Sequence, residues 1–315
     1  MIEIFSYIKK FDKIKKIKLD DSSRGIKWIR VVQPDPENLK LLSKNTDIPE
    51  SELQESLEEE ERPKITVKKY LEIIYRAPYM VEGELETLPI YFYLFPDKLV
   101  TVEKKPLAIL DEISKKMAKN KSKFLFRRNF PFFIAHVMDK INDDFLIKID
   151  KIAARVDIYE KFSKKAITVK DIELIYDQSV TLSFFNQALI ANVEVLNALK
   201  KSYFKLIPNK DKVLFEELYY DILQILDTEK IQREAVTNLI NVHSIITSNR
   251  LNEFMKRLTA IALIVAIPTM ISGLYGMNFA NIPLKEHPQG FYITTFIVIL
   301  ITIGFYYLFK KFEWL

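Results

Sequence analysis

Two charge-free apolar stretches near the C-terminus, Leu258 to Met277 and Phe291 to Phe309, constrain this chain more than any other feature. Each matches the about 20 residues that a helix needs to cross about 30 Å of hydrocarbon. One such stretch could be a buried core helix. Two in succession, flanked by Lys256-Arg257 and Lys310-Lys311, predict a pair of spans in the cell membrane. Arg250, Lys256, Arg257, Lys310 and Lys311 lie on one side, whereas the loop 279–290 carries only Lys285, beside Glu286. The excess of basic residues places both termini in the cytoplasm. The opening run Met1 to Lys10 agrees: Glu3 interrupts its apolar residues and no small-residue cleavage site follows, so it is not a signal peptide.

The 315 residues suffice for one large or two ordinary domains. No cysteine is present, which removes disulfides, thiolate metal sites and cysteine nucleophiles. The 47 basic and 42 acidic residues are interleaved, and a net charge of +5 offers no nucleic-acid patch. Residues 1–122 read as a cytoplasmic α/β domain. Met1 to Ile8, Gly25 to Val32, Ile65 to Tyr75, Ile90 to Phe95 and Leu99 to Val102 are rich in β-branched and aromatic residues and favour strands. Asp35-Pro36-Glu37 and Asp47-Ile48-Pro49-Glu50 each set a capping side chain ahead of a proline, predicting helix starts. The acidic run Glu58 to Glu61 reads as the solvated end of a helix rather than a cation site.

Residues 123–207 read as a helical hairpin. Ile141, Phe145, Ile149, Ile152 and Val156 recur at helical spacing, and a break falls near Ala166-Ile167-Thr168. A stalk helix follows over 208–257, with no proline or glycine from Val213 until Pro268. Continued through the first span, 258–277, it would be about 100 Å long at about 1.5 Å per residue. An external loop, 278–290, a second span, 291–309, and a basic tail, 310–315, complete the chain. The fold class is therefore an α+β cytoplasmic domain, a long stalk helix and two transmembrane helices.

The first span has an unusual face. Alternate steps of three and four from Asn252 reach Met255, Thr259, Ala262, Ala266, Thr269, Gly273 and Gly276, mostly small or hydroxylated residues. Leu263, Ile264, Ile267, Ile271 and Leu274 occupy the other faces. Such a strip suits close helix packing in a membrane. It equally suits the lining of a water-filled pore built from several copies, and spacing alone leaves both readings open.

Four of the six glycines lie between Gly273 and Gly304. Gly276 is expected to take a positive φ, end the helix and turn Asn278 toward the mouth of a pore. With Tyr275-Gly276-Met277-Asn278-Phe279 placed after one charge-free span and before another, and with the tail Lys310-Lys311-Phe312-Glu313-Trp314-Leu315, the sequence resembles the CorA family of magnesium channels. The resemblance implies a funnel-shaped homopentamer in the lipid bilayer, with Mg²⁺ as both cargo and regulator. It implies that Gly276, Met277 and Asn278 form the selectivity filter. Asn252, Met255, Leu258, Thr269 and Gly273, with Thr259, Ala262 and Ala266 of the strip, would line the path. Ala266 stands where some relatives carry a bulkier residue.

The residue types suit that implication. Mg²⁺ sheds water reluctantly. A ring of Asn278 amide oxygens can accept hydrogen bonds from its hydration shell and let it go again. Met255 and Leu258 would form an apolar collar that closes by drying out. For regulation, the stretch Phe215 to Asp221 singles out Glu217 and then Asp221 as metal-binding, with Asp157 as a partner. Ala153-Ala154 replace acids expected nearby, Glu82, Glu84 and Glu86 align loosely, and a solvated helix face remains open for each. Asn281-Ile282-Pro283-Leu284 lacks an acid common in the family's loop.

Rival readings are a Co²⁺, Ni²⁺ or Zn²⁺ transporter of the same superfamily and a membrane-anchored sensor or scaffold. His136, His243 and His287 form no pair, which disfavours the softer metals. No phosphate loop, zinc-protease helix or nucleophile elbow points to an enzyme.

Overall fold

A computed structural model describes residues 1–17, 25–81, 83–162, 168–201, 204–278 and 282–315. Two compact units emerge, Met1–Ile240 and Asn241–Leu315.

Among the described residues the first unit holds seven strands: β1 (Ile2–Ile8), β2 (Lys13–Ile17), β3 (Ile26–Val32), β4 (Lys64–Val67), β5 (Leu71–Val81), β6 (Glu84–Leu94) and β7 (Lys98–Glu103). They form one sheet in the order β2-β1-β3-β7-β6-β5-β4, antiparallel except where β3 runs parallel to β7. Alternation along the strands divides the side chains between two faces. Ile29, Val31, Ile74, Tyr91 and Tyr93 pack with Leu39 and Leu42 of α1 (Pro36–Thr46) and Leu53 of α2 (Glu50–Glu55). Trp28, Ile73, Tyr75, Ile90 and Phe92 face the other way. Their partners come from α3 (Ala108–Ala118), α4 (Lys123–Arg128), α5 (Phe130–Phe162), α6 (Val169–Lys201) and the lower part of α7 (Lys212–Tyr275). The five residues whose spacing predicts α5's apolar face, Ile141 to Val156, are all buried there.

The structure corrects the sequence reading at several points. The run Ile65 to Tyr75 is two strands, broken by a tight turn in which Lys68 N–H donates to Tyr70 O at 2.8 Å. Strand β2 was not expected, because Lys13-Ile14-Lys15-Lys16-Ile17 reads as a basic stretch; it is an edge strand with Ile14 buried, and its lysines suit an edge. Asp35 does cap α1, accepting from Asn38 N–H at 2.7 Å with Pro36 next in line. Asp47 does not cap α2. It closes α1 in the left-handed region, φ 61°, donating its N–H to Ser43 O, and α2 begins after Pro49 with no side-chain cap. At the expected hairpin break, Ala166 and Ile167 lie outside the described residues. Thr168 opens α6 through a reciprocal cap: Asp171 N–H donates to Thr168 Oγ1 at 3.3 Å and Thr168 N–H to Asp171 Oδ2 at 2.9 Å.

Buried polar groups fix how helices meet the sheet and each other. Asn192 of α6 pairs with the backbone of β5, donating to Arg76 O and accepting from Arg76 N–H, both at 2.9 Å. Glu229 of α7 is fully buried, accepts from Asn186 Nδ2 of α6 at 2.6 Å and from Arg233 Nε at 3.0 Å. Burial raises its carboxyl above the ordinary 4.5, against the pull of Asn186 and Arg233. The folded state therefore holds this proton more tightly than the unfolded chain, so its contribution to stability declines as pH rises above 4.5. Glu229→Gln is expected to flatten that decline, read from thermal unfolding of the full-length protein at pH 5 to pH 8, about the range of ordinary stability maxima.

The second unit contains the remainder of α7 and α8 (Gly290–Lys311), both long and apolar enough to cross a membrane. Ala260 of α7 is buried, and Ile264, Ile267, Pro268 and Ile271 continue that half-covered stripe. On α8 the covered positions are Gly290, Ile293, Thr294, Val298, Ile301, Thr302, Phe305 and Phe309. These two stripes are where the helices meet.

Candidate functional site

Every residue of the predicted strip, Asn252, Met255, Thr259, Ala262, Ala266, Thr269, Gly273 and Gly276, is exposed. At about 100° per residue it lies about 180° around α7 from the stripe that meets α8. The small residues are thus not used to pack these two spans together. The strip's hydroxyls have their protons engaged: Thr259 Oγ1 donates to Met255 O and Thr269 Oγ1 to Val265 O, each at 2.8 Å. A hydroxyl so committed offers outward only lone pairs. Those suit the hydrogens of water molecules carried by a cation.

Leu258 and Met277 are exposed as well. The helix ends differently from expectation. Gly276 has no positive φ; its N–H is shared between Ser272 O at 2.9 Å and Gly273 O at 3.2 Å, and Met277 N–H donates to Leu274 O. A tightened last turn replaces the left-handed cap. A Cβ on Gly276 would meet only ordinary contacts at 3.5 Å, so nothing among the described residues of one chain demands glycine there. Asn278 follows, exposed and among the described residues without a side-chain hydrogen bond. Tyr275 Oη donates to Pro283 O at 3.2 Å, tying the helix end to the segment before α8. Phe279 and Asn281 lie outside the described residues.

The predicted regulatory acids separate. Glu217 and Asp221, both exposed, line a small cleft of about 210 Å³ with His136 and Asp139 of α5. Asp157 is not in that cleft; it lies about 27 Å further along α5 at about 1.5 Å per residue. Among the described residues no cluster of three acidic or histidine side chains could hold a metal within one chain. Asp139 was missed by sequence reasoning. The signal was available: His136, Asp139 and Lys140 interrupt the otherwise apolar run from Phe130 to Ile141. Burial raises the Asp139 carboxyl, with Asp143 and Asp221 adding repulsion, and burial lowers His136. Glu84 and Glu86 sit on β6, Glu86 in a different cleft beside Arg76 and Phe184, and Glu82 is outside the described residues.

Comparisons with known proteins agree over nearly the whole chain. The cobalt/magnesium transport protein CorA of Methanocaldococcus jannaschii is 31% identical over 296 residues, covering 91% of each chain. The protein of that name from Thermotoga maritima is 25% identical over 74% of this chain and 66% of its own. The complete structure of the CorA magnesium transporter from Methanocaldococcus jannaschii superposes with a TM-score of 0.88 at 28% identity, covering 100% of this chain and 99% of that one. An α/β unit, a long helix and two C-terminal apolar helices are common ground. Residues 23–311 match the sequence model of the CorA-like Mg2+ transporter protein family, and the chain belongs to that family.

Proposed function

We propose that five copies of this chain surround a common axis and conduct hydrated Mg²⁺ into the cell. The observation that carries the reading is the exposed strip of small and hydroxylated residues opposite the α8-facing stripe. Such a face has no reason to meet lipid, and copies around an axis would turn it toward water. Asn278 at its outer end is the filter with Gly276 and Met277, while Met255 and Leu258 at the inner end are the gate. Basic flanks orient both termini to the cytoplasm. Flux into liposomes containing the purified protein tests this, together with its mass in detergent. Selective Mg²⁺ flux by a pentamer is expected; a monodisperse monomer or dimer that still transports, or a protein that passes no ion, refutes it. Co²⁺ is a second cargo to include, because relatives are called cobalt/magnesium transport proteins.

For regulation, Asp139 replaces Asp157 as the partner of Glu217 and Asp221. Acids of neighbouring copies brought to this cleft repel one another, and bound Mg²⁺ would relieve that repulsion and hold the gate shut. Asp139→Asn with Glu217→Gln and Asp221→Asn is expected to abolish protection from proteolysis by Mg²⁺. Because Asp139 takes up a proton more readily than an ordinary carboxyl, the Mg²⁺ needed for protection should rise as pH falls. Unchanged protection in the triple variant would place the sensor elsewhere.

A further inference from the structure

The last turn of α8 carries a device that the pore reading does not use. Glu313 adopts the left-handed conformation, φ 57°. Its N–H donates to Lys310 O at 3.2 Å, and Trp314 N–H donates back to Phe309 O at 2.9 Å. These are the two bonds of a Schellman motif, here built without glycine. The motif folds the chain end back so that the Trp314 ring stacks on Phe309, centroids 5.6 Å apart and planes 17° from parallel. Phe309 is buried. Trp314 in turn forms one wall of a cleft of about 540 Å³ whose other wall is α7, with Asn252, Met255, Lys256 and Thr259. The tail after α8 thus reaches round to the inner end of the strip, Asn252 to Thr259, whose outer part from Ala262 faces away from α8, and brings an aromatic plate beside Met255.

We infer that Trp314 is a positioning residue for the gate. Held by the turn and the Phe309 stack, its ring limits how far the Asn252–Thr259 segment of α7 can roll, and so keeps Met255 directed at the axis when the pore is shut. The inference rests on the gate reading above. A tryptophan serving only as an interfacial anchor would need no defined backbone turn. Here the turn and the stack are both specified.

The test is Mg²⁺ flux through the full-length protein in liposomes, with low and with high Mg²⁺ on the cytoplasmic side. Trp314→Ala is expected to raise flux at high Mg²⁺ about tenfold, the ratio that loss of one aromatic stack can shift, with the pentamer and the low-Mg²⁺ flux unchanged. Glu313→Pro, which cannot take a positive φ or donate to Lys310, should do the same with the ring still present. Glu313→Gly and Trp314→Phe should close like the parent. The inference is overturned if Trp314→Ala closes normally, if it loses the pentamer, or if Glu313→Pro is silent while Trp314→Ala leaks. Met255→Ala separates the two ideas. If it leaks while Trp314→Ala does not, only the role of Trp314 falls; if it too closes normally, the gate reading itself fails.

Discussion

Asn278→Ala is expected to cut Mg²⁺ flux by about a hundredfold or more while leaving the oligomer intact. In a pentamer the change removes five amide oxygens from the pore mouth, and no other described side chain in the turn from Gly276 to Asn278 offers an oxygen in their place. Each hydrogen bond to the hydration shell need contribute only about 0.5–1.5 kcal/mol for the ring to reach several kcal/mol, and every 1.4 kcal/mol is about tenfold. Asn278→Asp should fail differently, binding cations more tightly and releasing them more slowly. The two outcomes are separated by measuring flux and oligomer mass on the same preparation. Near-normal flux through the alanine variant would show that Asn278 is not the filter. Loss of the oligomer would make its role structural.

The second large effect is expected in the sheet of the first unit. Arg30 on β3 is 1% exposed and meets Glu103 of β7 through two parallel bonds, Nε to Oε1 at 2.7 Å and Nη2 to Oε2 at 3.0 Å. Its Nη2 also lies 2.6 Å from Asp111 of α3, and Glu103 accepts from Leu107 N–H at 2.8 Å. Burial pushes the Glu103 carboxyl up, against the pull of Arg30. Removing the guanidinium therefore strands a buried acid. Arg30→Ala should cost about 3–5 kcal/mol, lowering the unfolding midpoint by about 6–20 °C at about 2–4 °C per kcal/mol. Arg30→Met with Glu103→Gln keeps an acceptor for Leu107 N–H and removes both charges, so it should recover most of the loss. Thermal unfolding followed by the fluorescence of Trp28, on the same strand, checks both variants. A midpoint for Arg30→Ala within about 2 °C of the parent, below what 1 kcal/mol produces, would show that the pair is dispensable.

What could be read from the sequence was what depends on local periodicity. The two spans are set by charge-free apolar length, and the α5 face from Ile141 to Val156 and the strip from Asn252 to Gly276 by a helical repeat. Strand β2 was not legible, because lysines outnumber its inward residues. The fate of Asp47 was hidden because the same Asp-x-Pro pattern serves a helix end and a helix start. Asp139 escaped because its partners Glu217 and Asp221 are distant in the chain, and only the packing of α5 against α7 brings them into one cleft. The end of the first span was read as a glycine cap, yet the carbonyls of Ser272 and Gly273 satisfy the Gly276 N–H without one.

The single parallel pairing in the sheet sets an order of events during synthesis. β3 is complete at Val32, yet its partner β7 begins only at Lys98, and Lys27 lies opposite Lys98. The β2–β1–β3 ribbon, with β1 in the middle, and the β4–β5–β6 hairpins can each form from strands close in the sequence. They stay two separate ribbons until β7 leaves the ribosome and joins them, since β7 alone bonds to both β3 and β6. Until then β3 presents an open, apolar edge, the kind of surface that recruits other chains. A nascent chain arrested before residue 98 should therefore be aggregation-prone, and emergence of residue 103 from the ribosome is the point at which the hazard is removed.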